Sequence, residues 1–500
     1  MRGVLTASVL AVAGSATAMA SSSIDASANG PTVNGSGSTW VQIALDQWRA
    51  DIAQQGYSIN YQGVGSSAGR QAFTQGTVDF AASEIPYQPG EPRPGRSFEY
   101  LPDVAGGTSL MYNLHAPNGS RITSLRLNAH AAARIFTAGM TSWQDPEIQA
   151  LNPGLSIAET HINAVVRSDG SGTSAQFSLY LANEAPSVWN PFASAQGCPA
   201  PCSNWPPVFP NSENGSDQVA SFVADATRGP GAIGYVEAGY AKGYSFPVAS
   251  LLNASGNYTQ PTAVNVATAL QHAQFNSDNT QNLTSVYVSP EPNAYPMSSY
   301  SYMIVQTGGF DPAKGAVLGR WLIYIACGGQ REASPLGYSP LPPVLIQNVF
   351  DAEHRIPGAP PTPPIDRVNC PNPTVANAPG TAATAAPISS YGSAGGTSGN
   401  GNGPAANATS GPTADATTSA GASASASASA SASASADGVA TLGSAQREAA
   451  FLAALTAAQG ARTGSLLPLL ICGICIVVAV FVPFFLGWRR RAAGGGDRHG

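Results

Sequence analysis

Apolar and polar positions alternate in two rhythms along the first two thirds of this chain. Val41, Ala44, Leu45, Trp48 and Ile52 recur at intervals of three and four, which predicts a helix over 40–53 with one buried face. The stretches 129–138 and 218–227 carry the same period. Short β-branched and aromatic runs at 58–61, 164–166 and 302–305 predict strands between such helices. Strand and helix in alternation from 31 to 357 predict an α/β fold with parallel sheets, and a segment of that length favours two lobes over one.

The rhythm stops at 358. A Pro-rich run, Ala359-Pro360-Pro361-Thr362-Pro363-Pro364, leads into Gly, Ala, Ser and Thr, and then into a Ser-Ala repeat over 423–436. Such sequence has too little apolar side chain to order itself, so 358–443 is expected to be a disordered stalk. The segment 444–460 next reads equally as a short juxtamembrane helix, with Phe451, Leu452 and Leu455 on one face, or as mere spacer. The segment 466–488 has no charged residue and is long enough to cross roughly 30 Å of hydrocarbon as a single transmembrane helix. Arg489, Arg490 and Arg491 follow it, which predicts a cytoplasmic tail over 489–500 and a folded domain on the outside of the cell membrane. At the other end, Arg2, an apolar small-residue run and Ala18-Met19-Ala20 predict a signal peptide over 1–20.

Composition narrows the function. The net charge is −6 and charged residues are 10% of the chain, so nothing here draws nucleic acid, and anion binding must come from a local pocket. Cys198, Cys202, Cys327 and Cys370 lie in the exported part, where disulfides form. They allow three pairings; Cys198–Cys202 with Cys327–Cys370 is the one expected, and sequence alone does not choose among the three. Cys472 and Cys475 fall within the apolar segment. The six histidines share no spacing and no acidic partners, so no metal site or catalytic base is assigned, and no cofactor is expected.

Three segments carry the chemistry. They are Gly35-Ser36-Gly37-Ser38-Thr39-Trp40, Gly65-Ser66-Ser67-Ala68-Gly69, and Arg167-Ser168-Asp169-Gly170-Ser171-Gly172-Thr173-Ser174. Each sets glycines and small hydroxyl residues before a helix start, where unpaired N–H groups and a partial positive charge receive oxyanions. Arg167 adds a planar donor fork suited to a tetrahedral anion. Thr39 also reads as an N-cap of the helix that follows, and Arg167 with Asp169 as an ion pair. Gly170-Ser171-Gly172 lacks the full nucleophile elbow, so an enzyme is not expected.

Together with Asn60-Tyr61-Gln62-Gly63-Val64-Gly65-Ser66-Ser67, Gly76-Thr77-Val78-Asp79-Phe80-Ala81-Ala82-Ser83, Pro230-Gly231-Ala232-Ile233-Gly234-Tyr235-Val236-Glu237 and Leu336-Gly337-Tyr338-Ser339-Pro340-Leu341-Pro342, these segments resemble the phosphate-binding proteins of ABC-type phosphate uptake systems. The resemblance runs in order from about 33 to 356. It implies a two-lobed type II periplasmic-binding-protein fold, with one lobe made of 33–105 and 295–356 and the other of 106–294. It also implies phosphate contacts from Thr39, Trp40 through its backbone N–H, Ser66, Glu84, Arg167, Ser171, Gly172 and Thr173, with Asp169 holding the Arg167 fork.

One departure bears on selectivity. The family usually has Asp where this chain has Glu84, a longer arm for the carboxylate that accepts the proton of a phosphate oxygen. Sulfate has no such proton, so in the family this acid tells the two anions apart. In this chain three readings of Glu84 stay open: it accepts the proton after a small backbone shift, it loosens the pocket, or it turns outward as an ordinary surface acid. The function implied is a membrane-tethered receptor that binds inorganic phosphate and passes it to a membrane permease driven by an ATPase. A surface sensor or interaction module on the same fold, with weak or altered oxyanion binding, is the other reading; the long stalk, the C-terminal span and Glu84 favour it.

Overall fold

The computed structural model describes residues 30–375. The expected signal peptide, juxtamembrane helix, transmembrane helix and tail lie outside the described residues, as does the stalk beyond 375. Among the described residues, no helix is long and apolar enough to cross a membrane.

Eight strands form one mixed sheet. In chain order they are β1 (Val33–Gly37), β2 (Ile59–Gly63), β3 (Phe80–Ser83), β4 (Phe98–Tyr112), β5 (Asn163–Arg167), β6 (Asn211–Glu213), β7 (Ala232–Glu237) and β8 (Ser298–Gln306). Their order across the sheet is β2-β1-β3-β8-β4-β7-β5-β6. Two parallel groups, β2-β1-β3 and β7-β5-β6, are joined through the antiparallel pair β8 and β4. β4 serves both halves. Its first part, to Gly107, pairs with β8, and Thr108 to Tyr112 pair with β7. The sheet is therefore mixed where alternating β and α predicted parallel strands, because two long strands must return between the lobes.

The helices that matter here are α1 (Gln42–Ala53), α2 (Ser66–Gln75), α3 (Ala129–Phe136), α4 (Gly172–Glu184), α5 (Gly215–Ala224), α6 (Ala238–Gly243), α7 (Pro312–Ala326) and α8 (Pro343–Glu353). The five positions that predicted α1 are all fully buried. Burying each of the larger ones is worth about 1.5–3 kcal/mol. α5 lies three residues earlier than its apolar period suggests. It stops at Asp225, whose Oδ1 accepts from the N–H groups of Thr227 and Arg228, both at 2.8 Å, and turns the chain away.

The folded unit also runs past the boundary expected at 357. Cys327 and Cys370 form a disulfide, Asn372 donates to the carbonyls of Ala326 (3.0 Å) and Leu341 (3.1 Å), and Cys370 and Val375 are buried. Residues 358–375 are thus packed on the domain rather than part of a stalk. Low apolar content did not prevent this, because a covalent link and amide hydrogen bonds supply what the side chains lack. Cys198 and Cys202 form the second disulfide.

Candidate functional site

Every segment of the site follows the carboxyl end of a parallel strand. β1 leads through Ser38, Thr39 and Trp40 into α1. β2 leads through Val64 and Gly65 into α2, β3 ends directly before Glu84, β5 ends on Arg167 before α4, and β6 leads through Asn214 into α5. In open α/β sheets the strand-to-helix turns at this edge gather helix N-termini, which is where anions bind.

The structure brings these segments into contact across the two halves. Arg167 is buried; its Nε and Nη2 reach Asp169 Oδ1 and Oδ2 at 2.7 and 2.5 Å. This bidentate pairing leaves Nη1 to donate to Thr173 Oγ1 at 3.3 Å and to Ser216 Oγ at 3.1 Å. Ser216 in turn lies 3.1 Å from Thr39 Oγ1, and its N–H donates to that atom at 3.0 Å. A line of polar groups therefore runs from Arg167 in one half through Ser216 to Thr39 in the other. The Tyr240 hydroxyl donates to the Thr39 carbonyl, and the Tyr338 hydroxyl donates to the Trp40 carbonyl at 2.6 Å.

The second polar line centres on Glu84. Its Oε1 accepts from Ser38 Oγ and its Oε2 accepts from Ser66 Oγ at 2.9 Å. The Gly172 N–H, at the start of α4, donates to Ser66 Oγ at 3.1 Å. Gln176 on α4 donates to the Glu84 carbonyl at 2.7 Å. Glu84 is buried, not turned outward. Burial pushes its carboxyl above the usual range, and the bonds from Ser38 and Ser66 oppose that shift without cancelling it. Nearby Asp103 is raised well above its ordinary value, first by burial and then by the Glu84 charge.

The remaining sequence-derived residues take local roles. The Trp40 N–H donates to Ser38 Oγ at 3.0 Å, and its indole Nε1 donates to Thr108 Oγ1 at 3.2 Å. Ser171 Oγ accepts from the Ser174 N–H at 3.1 Å and caps α4. Thr39 does not cap α1: no side chain does, and the Thr39 hydroxyl is turned to Ser216. Gly65, with φ +90°, lies so close to Asp169 that a Cβ would stand 2.4 Å from Oδ2.

Two residues of the site were not nominated from the sequence. Ser38 holds Glu84, and Ser216 joins Thr39 to Arg167. Ser38 sits inside a quoted motif beside Thr39. Ser216 stands in Asn214-Gly215-Ser216, a fourth small-polar helix start of the same type as the other three, and that was the signal available. Among the described residues no group of His, Cys, Asp and Glu could hold a metal ion.

A family model described as a PBP superfamily domain matches residues 12–325. The phosphate-binding protein PstS of Xylella fastidiosa is 31% identical over 318 residues, covering 63% of this chain and 83% of that protein. The phosphate-binding protein PstS 2 of Mycobacterium tuberculosis is 28% identical over 324 residues, covering 62% and 83%. Among solved structures, a high affinity periplasmic phosphate-binding protein (PfluDING) bound with phosphate aligns at 17% identity with a TM-score of 0.49, covering 64% of this chain and 93% of that one. The extent of the family model and the coverage of the curated sequences carry the assignment: this chain belongs to the PBP superfamily, in the family of phosphate-binding proteins.

Proposed function

We propose that the protein is an extracytoplasmic receptor that binds inorganic phosphate between its lobes and delivers it to an ABC importer. It is a binding protein with no reaction of its own. The observation that carries this reading is the meeting of Thr39, Ser66 and Glu84 from one half with Arg167, Gly172, Thr173 and Ser216 from the other. A buried oxyanion needs nearly all its lone pairs satisfied, and helix N-terminal N–H groups, hydroxyls and one arginine do this with little surplus charge. Arg167 is already matched by Asp169, so the pocket offers directed donors more than net charge.

In this reading Thr39, the Trp40 N–H, Ser66, Arg167, Ser171, Gly172 and Thr173 contact phosphate, and Glu84 accepts the proton of a phosphate oxygen. The raised Glu84 carboxyl suits a group that shares a proton with its ligand. The lobes are taken as 33–105 with 295–356, and 106–294, closing about the pair β4 and β8 as a type II binding protein does. A signal peptide, an extracellular stalk and a C-terminal transmembrane helix complete the proposed arrangement. Their support is the sequence pattern of 1–20 and 376–500 alone.

Calorimetric titration of the protein with phosphate and with sulfate at pH 7 tests this. Micromolar or tighter binding of phosphate alone is expected, with loss of at least about tenfold in Arg167→Ala. Glu84→Gln is expected to weaken phosphate and improve sulfate. Unchanged affinity in Arg167→Ala would sink the pocket assignment. Binding of neither anion would favour the sensor or interaction module, the reading that the stalk pattern supports.

A further inference from the structure

A second arginine stands behind the pocket on the first half, and nothing in the proposed ligand shell uses it. Arg70 lies on α2, one turn past Ser66, and its side chain is 1% exposed. Its Nε and Nη2 grip Glu91 Oε2 and Oε1 at 2.9 and 2.6 Å. Nη1 donates to Ser83 Oγ at 2.9 Å, and Nη2 makes a longer bond to Ser67 Oγ at 3.4 Å. Four of the five guanidinium N–H groups therefore have acceptors within the protein, and the fork has almost nothing left for an anion.

What Arg70 holds is telling. Ser83 and Ser67 are the chain neighbours of Glu84 and Ser66. Ser83 Oγ donates to the Ile85 carbonyl at 2.6 Å and accepts from the Ile85 N–H at 3.2 Å, so one hydroxyl builds the turn on which Glu84 sits. The Ser67 N–H donates across the halves to the Gly170 carbonyl at 3.0 Å. The loop from 84 to 91 is tied to α2 a second time, by the Tyr87 hydroxyl donating to the Arg70 carbonyl at 2.9 Å. Arg70 with Glu91 thus repeats in the first half the bidentate pairing that Arg167 makes with Asp169 in the second, cancelling the charge of a buried arginine locally, although the Glu91 side chain is 31% exposed where that of Asp169 is 7% exposed.

We propose that Arg70 is a positioning residue for anion binding, fixing Ser66 and Glu84 through their neighbours Ser67 and Ser83. The effect on selectivity rests on the phosphate reading above; the positioning itself does not. Its cause is geometric. Glu84 can discriminate a protonated from an unprotonated oxygen only if its carboxylate is held, and among the described residues Arg70 is the charged group that bonds to Ser83 in the turn 83–85.

The test uses the full chain and the variants Arg70→Met and Arg70→Lys, the second keeping the charge but not the fork. Amide exchange read by mass spectrometry should rise about tenfold in the peptides covering 65–70 and 83–88, and stay within about twofold over 129–136, in both variants. The ratio of phosphate to sulfate affinity should fall about tenfold. A merely structural role would speed exchange throughout and leave the ratio alone, and that result would overturn the proposal. So would unchanged exchange at 65–70 and 83–88. If the wild type binds neither anion, the phosphate reading fails, and the exchange pattern still decides whether Arg70 positions these turns.

Discussion

Glu84 Oε2 occupies the place where a side chain on Gly172 would have to begin: a Cβ there would stand 2.0 Å from that oxygen and 2.6 Å from Ser66 Oγ. The acid from one half and the first residue of α4 from the other are in van der Waals contact only because residue 172 is glycine. Gly172→Ala should therefore force Glu84 from its bonds with Ser38 and Ser66. Phosphate affinity, measured by calorimetry, is expected to fall about a hundredfold, with a stability loss of about 1–3 kcal/mol by thermal melting. Wild-type affinity in this variant would show that the two groups need not meet.

Ser216 links Arg167 to Thr39, and it is fully buried. In Ser216→Ala both partners lose a hydrogen bond while the α5 backbone keeps its N–H bond to Thr39 Oγ1. The expected result is weaker phosphate binding by about tenfold, with a shift in unfolding free energy of only about 1 kcal/mol. An unchanged titration would remove Ser216 from the site.

Glu353 on α8 is fully buried, and among the described residues neither carboxylate oxygen has a hydrogen-bond partner. Burial lifts its carboxyl from 4.5 to about 7. Such an acid holds its proton in the folded state at pH values where the unfolded chain has released it. Stability therefore falls as pH rises from about 4.5 through 7 and then levels off. Glu353→Gln mimics the protonated form. It should match the wild type near pH 4 and exceed it by about 3 kcal/mol at pH 8, checked by urea unfolding at both pH values. Equal stability at pH 8 would mean the carboxyl is not strained by its burial.

The Cys327–Cys370 disulfide spans 43 residues and fastens the segment beyond α8 to the end of α7. Closing a loop of that length is worth about 4 kcal/mol in chain entropy. Cys370→Ser should lower stability by up to that amount and expose 358–375 to protease, while phosphate titration stays unchanged because the site lies on other elements. Loss of binding in this variant would place the C-terminal segment in the function of the cleft.

Local pattern carried much of this structure. The apolar face of α1 and the strands at 58–61, 164–166 and 302–305 follow from periodicity, because burial of one face is a property of neighbouring residues. The glycine and hydroxyl segments marked the helix starts at Ser66 and Gly172 for the same reason: unpaired N–H groups demand short polar side chains or none. Sequence could not tell which N-terminal hydroxyl caps its own helix and which reaches another. Ser171 caps α4, whereas Thr39 leaves α1 uncapped and turns to Ser216, 177 residues away. Nor did local pattern bring Arg70 to Ser83, or Glu84 inward between Ser38 and Ser66. Those contacts depend on which strand ends the sheet sets side by side, and on burial that makes each polar group find a partner. Sequence by itself determined the elements and the kinds of donor at their ends. The tertiary structure alone decided which donors face one another, because that choice is made by strand order and desolvation over long separations in the chain.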